Sequence, residues 1–430
     1  MDKAYNHLNS EADIYKAWED SGAMRADENS DKPPFTIPLP PPNVTGELHL
    51  GHAAMLAIQD IMTRYKKMQG HEVLWLPGTD HAAIATENVV IKHHDKKSRE
   101  EWPSREAFMV DAKAFADEKH DNIVNQMKRM GSWLDWSREA YTFDEPRNFA
   151  VNRIFKDLYQ DGLIERGYRL INWSVGAQSV LSDDELEYDE VKEPFYYIKC
   201  GKFIMGTVRP ETKCANSPLI VHPEEDYVEF ESSAGDNYIV IKRLYDDKEK
   251  FFKTLNFLDA EADYKVLKTT KGSDLVGQKF KAETYAGERD FFVIADEVID
   301  PEKGSGAMTI SASHSADDYD LAKRLKLDEF FIQKIDFEGN MTDIAGPVAG
   351  MFVKKARNVS GKLLEEKGLL VGKDNNYSHR VPLCYRSSCV VEPMISPQWF
   401  IMVEKEYTHA VDGKTTLKKQ MQAAVRGFEG

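Results

Sequence analysis

The spacing of apolar residues between positions 35 and 76 predicts a strand, a helix and a second strand. Residues 35–39 form an apolar run of strand length. Residues 73–76 form a second such run, which a Pro-Gly pair ends. Between them, apolar residues recur at helical spacing, at Ala54, Ile58, Ile61, Met62 and Tyr65. This order is that of one βαβ unit, with its loop at the carboxyl end of the first strand.

The pattern changes near residue 195. Before it, the apolar spacing predicts a long amphipathic helix at 105–130. After it, short apolar runs separated by turn residues predict mostly strands. The predicted strands are 195–199, 203–207, 219–221, 238–242, 291–295 and 307–311.

Helical spacing returns at 356–367, before Gly368. Strands followed by a helix within one block indicate a separate core. We therefore predict an α/β protein in which a β-rich α/β domain, 195–375, is inserted between two parts of another domain, 1–194 and 376–430.

Composition is that of a globular protein with room for two or three domains, since the chain has 430 residues, 42% of them hydrophobic and 30% charged. No apolar run reaches the length of a membrane span, so no membrane partner is expected. The 4 cysteines favour a reducing compartment, and we expect a cytoplasmic protein.

Net charge offers no support for a nucleic-acid partner. The formal charge is −16, whereas contact with phosphates needs local Lys and Arg. A basic face remains compatible with an acidic total.

The loop before the predicted helix has the chemistry of a nucleotide site. A helix N-terminus offers unpaired N–H groups to phosphate. Gly51 lets a flat ligand approach the backbone, and His49 and His52 can donate hydrogen bonds to phosphate oxygens. Two alternatives are a His-x-x-His metal pair, which lacks a nearby third ligand, and two ordinary surface histidines.

Two motifs carry a resemblance to a known family. Pro-Pro-Pro-Asn-Val-Thr-Gly at 40–46, followed by His-Leu-Gly-His at 49–52, resembles the first signature of class I aminoacyl-tRNA synthetases. The lead-in, together with Gly-Thr-Asp-His-Ala-Ala at 78–83, is similar to the valine-specific branch. The resemblance implies a Rossmann-like catalytic domain, with L-valine, ATP with Mg²⁺ and tRNA(Val) as substrates.

The same resemblance assigns roles at the first motif. His49, Gly51 and His52 are expected to hold ATP, and the two histidines are the expected catalytic residues that stabilise the α-phosphate as valine attacks it. Catalysis of this kind is mostly positioning and charge stabilisation.

For the amino acid, the resemblance implies a site lined by Pro40, Asn43 and Asp80. Asp80 is expected to pair with the ammonium group of valine. A carboxylate is the natural partner for that cation.

The inserted segment resembles the editing domain of the family, which hydrolyses mischarged tRNA. A hydrophobic pocket cannot strongly reject an isostere that adds a hydroxyl, so threonine is the expected error. The Arg-Pro-Glu-Thr stretch implies editing roles for Arg209 and Thr212, and the His-x-x-x-Asp stretch implies that Asp318 binds the substrate ammonium. A capped acidic helix start is the alternative reading of the second stretch.

Departures from the family lie within these stretches. Ser315 replaces the first Asp of the second motif, Thr309 stands where bacterial valine enzymes carry Lys, and Lys213 follows Thr212 where Met is preferred. The editing fold is therefore expected with changed charge in its pocket.

Two positions lack the Cys-x-x-Cys pairs of many family members. The first has Ser174 and Ala177, and the second has Cys384 and Ser387, with Cys389 displaced. Because structural zinc takes four ligands as a rule, we expect no structural zinc.

No stretch resembles the second class I signature, Lys-Met-Ser-Lys-Ser. The resemblance therefore implies roughly the first half of a valine-specific synthetase. One alternative is a stand-alone editing hydrolase or tRNA-binding module, and another is a subunit that needs a second chain carrying the C-terminal half.

Overall fold

The computed structural model describes residues 6–96, 98–233, 235–259, 264–385, 387–411 and 413–427. The chain forms two compact units, one made of Met1–Glu165 and Phe400–Gly430 and the other of Arg166–Trp399. The predicted inserted domain, 195–375, falls within the second unit. The domain limits themselves stay predictions.

The helices of the described residues vary from one turn to seven turns. In chain order they are α1 His7–Ser21, α2 Leu50–Met68, α3 Ala83–His93, α4 Arg105–Arg129, α5 Glu145–Gln160, α6 Lys242–Asp246, α7 Lys248–Thr254, α8 Gly272–Leu275, α9 Ala316–Arg324, α10 Val353–Glu366 and α11 Leu417–Arg426.

The strands are concentrated in the second unit. They are β1 Pro34–Pro38, β2 Glu72–Leu76, β3 Gly78–Thr79, β4 Ala140–Tyr141, β5 Ile164–Ser174, β6 Ser179–Leu181, β7 Leu186–Lys192, β8 Phe195–Cys200, β9 Phe203–Thr207, β10 Ser217–Val221, β11 Asp226–Glu231, β12 Asn237–Ile241, β13 Lys265–Lys271, β14 Lys279–Thr284, β15 Gly287–Ala295, β16 Ala307–Thr309, β17 Leu370–Asp374, β18 Ser378–Cys384, β19 Val391–Ile401, β20 Tyr407–His409 and β21 Gly413–Thr415.

The predicted βαβ unit is confirmed in the first unit. β1 and β2 pair in parallel, with Ile37 opposite Trp75, and α2 connects them. Leu56 of α2 and the Trp75 side chain are buried in one hydrophobic cluster with residues of α4. The Trp75 indole donates a hydrogen bond to Gln59 Oε1 at 3.0 Å, which satisfies its buried N–H. This packing holds the loop between β1 and α2 at the carboxyl end of β1.

The second unit is rich in β-structure, as predicted. One sheet has the strand order β13-β11-β12-β9-β8-β17, and another has the order β14-β15-β10-β16. Their buried faces share an extensive core that includes Ile204, Val240 and Phe251. Strands β11, β13, β14 and β17 were not predicted from the sequence.

One predicted strand is shorter than expected. The sequence predicts a strand over 307–311, but β16 ends at Thr309. The reason is that the backbone N–H of Ser311 donates to the carboxylate of Asp318 at 2.6 Å instead of to a neighbouring strand. This hydrogen bond turns the chain toward the start of α9.

Among the described residues, the structure contains no helix with the length and apolar character needed to cross a membrane.

Candidate functional site

His49 and His52 form a reciprocal arrangement at the start of α2. His49 is the N-cap residue, and its Nδ1 accepts the backbone N–H of Gly51 at 3.0 Å. His52 Nδ1 accepts the backbone N–H of His49 at 3.2 Å. The two rings lie 3.9 Å apart, centroid to centroid. Both imidazoles are therefore held in place by the backbone.

These hydrogen bonds assign the tautomer of both rings. Because Nδ1 accepts in each ring, the proton of the neutral imidazole is on Nε2, which is left as a donor. Burial, and then the neighbouring His49, lower the pKa of His52. The pair therefore offers two neutral N–H donors at a helix N-terminus, an arrangement suited to phosphate oxygens.

Gly51 is required by the position of the His49 ring. A Cβ at residue 51 would lie 2.8 Å from His49 Cε1. The sequence suggested that this glycine leaves space for a ligand, and the structure adds that it leaves space for the capping imidazole.

Asp80 lies beside the loop that leads into α2. Its backbone N–H donates to Pro42 O at 2.8 Å, and its carbonyl accepts the N–H of Val44 at 2.8 Å. Asn43 and Asp80 thereby form an isolated parallel bridge. Asn43 and Pro40 are exposed. The structure thus brings together Asn43 and Asp80, two of the three residues predicted to line the amino-acid site.

Two hydrogen bonds hold the Asp80 carboxylate in position. Its Oδ1 accepts from Thr142 Oγ1 at 2.9 Å and from the backbone N–H of Ala82 at 3.0 Å. Its side chain is 37% exposed, so a ligand can reach it. Ala82 and Ala83 follow with φ of 52° and 34°, which is strained for alanine. Strain of this kind is often found at functional sites.

Thr142 was not predicted as a site residue, because it lies 62 positions from Asp80 in a segment with no chemical signal of its own.

Two hydroxyl groups near Asp80 have no hydrogen-bond partner among the described residues, Thr79 Oγ1 and Tyr141 OH. The two residues are opposite each other in the pairing of β3 with β4. Burial raises the pKa of Tyr141 to about 12, with further increases from Asp117 and Asp80. Unpaired buried polar groups are rare, and here they are consistent with a polar ligand.

In the second unit, the predicted editing residues Thr212 and Asp318 converge on Ser311. Ser311 Oγ donates to Thr212 Oγ1 at 3.1 Å, and the Ser311 backbone N–H donates to Asp318 Oδ2 at 2.6 Å. Burial raises the pKa of Asp318, although nearby Lys213 opposes this. Ser315 caps α9 through the N–H of Asp318 at 3.3 Å, so the capping alternative also holds.

Lysine side chains enter the same cluster. Lys213 Nζ donates to Thr309 O at 2.9 Å, and Lys334 Nζ donates to Ser311 Oγ at 3.1 Å. Burial lowers the pKa of both amines, that of Lys334 to about 8, where the Lys213 charge adds to the effect. Lys334 was missed from the sequence, because only the tertiary structure brings it to Ser311.

Arg209 borders the cluster but is engaged by carboxylates. Its guanidinium donates to Glu392 at 2.7 Å and to Glu211 at 3.3 Å, and it also donates to His314 O at 3.3 Å. Burial alone lowers its pKa, but Glu392 and Glu211 raise it further than burial lowers it. Arg209 therefore links Glu392, Glu211 and His314 around the cluster.

The positions predicted to lack zinc ligands lie together. Ser174 Oγ and Ser387 Oγ are 3.1 Å apart, Cys384 is buried and Cys389 is exposed. Among the described residues, no group of three or more His, Cys, Asp or Glu side chains is arranged to hold a metal ion.

Comparisons with known proteins agree with the motifs. A family model described as tRNA synthetases class I (I, L, M and V) matches residues 13–427. The chain is 34% identical over 412 residues to the valine–tRNA ligase of Chlamydia pneumoniae, covering 94% of this chain and 38% of that protein. It is 34% identical over 417 residues to that of Thermotoga maritima, covering 95% and 42%.

The chain thus spans about two fifths of the length of these curated relatives. Among solved structures, one chain of the LeuRS–tRNA–LeuAMS ternary complex from Agrobacterium radiobacter is 15% identical, with 97% of this chain and 53% of that chain covered and a TM-score of 0.40.

Proposed function

Because the chain belongs to the class I tRNA synthetase family, we propose that it forms the amino-acid-activating part of a valine–tRNA ligase. The substrates are L-valine, ATP with Mg²⁺ and tRNA(Val), and the expected location is the cytoplasm. The observation that carries the proposal is the position of Asp80. Its backbone forms hydrogen bonds with the loop that ends at the His49 cap of α2, so its carboxylate lies beside that loop.

Asp80 receives the ammonium group of valine. Thr142 and the N–H of Ala82 orient the carboxylate through Oδ1, which leaves Oδ2 for the substrate. Pro40 and Asn43 border the same space. A pre-oriented carboxylate binds a cation with less loss of side-chain freedom than a mobile one.

His49 and His52 receive ATP. Their Nε2–H donors and the N-terminus of α2 stabilise negative charge on the phosphates while the valine carboxylate attacks the α-phosphorus and pyrophosphate leaves. Mg²⁺ arrives bound to ATP, as is usual for nucleotide substrates.

Exposed apolar surfaces in the first unit support a need for further polypeptide. Phe149, Val151 and Ile154 of α5 are 69%, 65% and 55% exposed, and Ile61 and Met68 of α2 are also exposed. Where such side chains form one patch, they mark an interaction site. We propose that the polypeptide carrying the second half of the catalytic domain covers these helices, either as more of the same chain or as a second chain.

Editing of threonyl-tRNA(Val) is the second candidate function. It is favoured by the convergence of Thr212, Ser311 and Asp318 on one buried cluster. Asp318→Ala should abolish deacylation of threonyl-tRNA(Val), while His49→Ala should leave it unchanged because the sites share no step. Deacylation without ATP, combined with no binding of valyl-adenylate analogues, would instead favour a stand-alone editing module.

The activation proposal is tested with sulfamoyl analogues of valyl- and isoleucyl-adenylate, titrated calorimetrically into the 430-residue chain. The valyl analogue should bind more tightly by about 10–200-fold, the range that one methylene gives. Asp80→Asn should remove most of the binding, and Asp328→Asn, an exposed aspartate in the second unit, should not. Equal binding of both analogues, or full binding by Asp80→Asn, would refute the proposal.

A further inference from the structure

The cavity next to the Thr212–Ser311–Asp318 cluster is small. Its volume is about 10 Å³, and its lining includes Thr212, Lys213, Thr309 and Lys334. That volume is about the size of one water molecule. A threonyl group joined to a ribose is several times larger, so hydrolysis of such an ester requires the cavity to open.

Two lysine side chains line this cavity, those of Lys213 and Lys334. Lys213 Nζ lies 2.9 Å from Thr309 O and 3.5 Å from Ser311 Oγ. Lys334 Nζ lies 3.1 Å from the same Ser311 Oγ. Ser311 in turn binds the Asp318 carboxylate through its backbone N–H. Both lysine side chains therefore reach Ser311, the residue that also binds the carboxylate expected to receive the substrate ammonium.

The two lysines differ in how exposed they are. Lys334 is 3% exposed, and its backbone N–H is bound by His314 Nε2 at 2.8 Å. Lys213 is only half-buried and follows a single turn, Pro210–Thr212. Its four-carbon stem is flexible, and a lysine ammonium is better hydrated in water than in a buried site. Lys213 is therefore the group that can leave.

We infer that Lys213 is a displaceable plug of the editing site, whose ammonium group lies beside Thr309 O and Ser311, the residue that binds Asp318, and moves to solvent when an aminoacyl ester enters. The inference rests on the proposed editing function, because it takes Asp318 as the substrate's ammonium ligand. Exchange of one ammonium group for another leaves the buried charge unchanged, so the entering substrate restores the positive charge that Lys213 withdraws.

With a plug, the apparent affinity for the substrate equals the affinity of the open site multiplied by the fraction of molecules in which the plug is withdrawn. If the cavity is open in about one molecule in ten, removal of the plug strengthens binding about tenfold. The probe is threonyl-adenosine with the ester replaced by an amide, which cannot be hydrolysed. Binding is measured with the full chain and with Lys213→Met, which keeps the stem and removes the charge.

Lys213→Met should bind the probe about tenfold more tightly, and should deacylate threonyl-tRNA(Val) with a lower KM and a similar kcat. Lys213→Arg keeps the cation and should resemble the parent chain. Lys202→Met removes a lysine that is 56% exposed in the same unit and should change nothing. Thermal unfolding of each variant verifies that it is folded.

Four results would overturn the inference. Equal binding by the parent chain and Lys213→Met would show that Lys213 is not a plug, without contradicting the proposed editing function. Weaker binding by Lys213→Met would make Lys213 a ligand contact. If no variant binds the probe or deacylates threonyl-tRNA(Val), the editing proposal fails and the plug fails with it. Adding Asp318→Asn to Lys213→Met should abolish the gain, and a retained gain would show that Asp318 is not the ammonium ligand.

Discussion

The imidazole of His314 accepts the backbone N–H of Lys334 through Nε2 at 2.8 Å, and the N–H of Ile335 at 3.2 Å. Its Nδ1 lies 3.2 Å from Pro393 O, which accepts the remaining ring proton. A protonated ring could not accept at Nε2, so the fold depends on neutral His314. Burial, followed by the charges of Arg209 and Lys334, lowers the pKa of His314 well below its usual value.

This dependence predicts a loss of stability in mild acid. The folded-state pKa lies below the unfolded value of 6.5, so the unfolded chain binds a proton first as the pH falls. The contribution of His314 is complete above pH 6.5 and is lost below it, by about 1.4 kcal/mol per pH unit. Urea unfolding between pH 7.5 and 5.5 should therefore depend less steeply on pH in His314→Gln than in the parent chain. Equal slopes would contradict the prediction.

The His49 cap has two roles that substitution can separate. Asn is a good N-cap residue but lacks the imidazole donor, whereas Ala lacks both. His49→Asn should keep the stability of the chain and lose affinity for the valyl-adenylate analogue. His49→Ala should lose affinity as well and lower the free energy of unfolding by about 1 kcal/mol. Urea unfolding and calorimetry test the two effects, and unchanged affinity in both variants would exclude His49 from the nucleotide site.

Thr142 should act through Asp80. Thr142→Val keeps the shape of the side chain and removes the hydroxyl that orients the Asp80 carboxylate. The loss of one hydrogen bond to a charged group should weaken binding of the valyl-adenylate analogue by about 1.5–3 kcal/mol. Thr408→Val, at an exposed threonine of the same unit, is the control. Identical affinity in Thr142→Val and the parent chain would mean that Asp80 does not need this orientation.

Glu211 is fully buried between two arginines, Arg209 and Arg357. Glu211→Gln removes the carboxylate charge that lies between the two guanidinium groups. This loss should lower the free energy of unfolding by about 3–5 kcal/mol. Glu224→Gln breaks a surface pair, because Glu224 is 68% exposed and lies 2.7 Å from Lys271. That change should cost much less, because solvent screens an exposed ion pair. Similar losses in the two variants would show that the buried network adds no special stability.

The chain by itself should not form valyl-adenylate at a useful rate. The first signature is present, but the lysine charges of the second signature are not found in the sequence. One missing donor to a transition-state charge costs about 2.7–4 kcal/mol. Valine-dependent pyrophosphate exchange should be near background for the 430-residue chain, and should rise when a polypeptide with the second half of a class I catalytic domain is added. Strong exchange by the chain alone would show that the second half is dispensable.

The sequence by itself determined the local elements and the family motifs. The βαβ unit, the helix start at His49, the helix predicted at 105–130 and six of the ten strands in the two large sheets of the second unit follow from apolar spacing and capping chemistry, which act between residues close in the chain. Strands such as β13 were missed because nearly all of its residues are exposed, so its sequence has no buried face. Pairing with β11 defines it.

Only the tertiary structure decided the composition of the two sites. Thr142 meets Asp80 across 62 positions, and Lys334 meets Ser311 across 23. No periodicity encodes such contacts, because they depend on how separate elements pack. The sequence showed that Lys213 is unusual beside Thr212, but not that its ammonium group is directed at the Thr309 carbonyl. That direction follows from the packing of β10 against β16, which brings the Thr309 carbonyl within reach of the lysine.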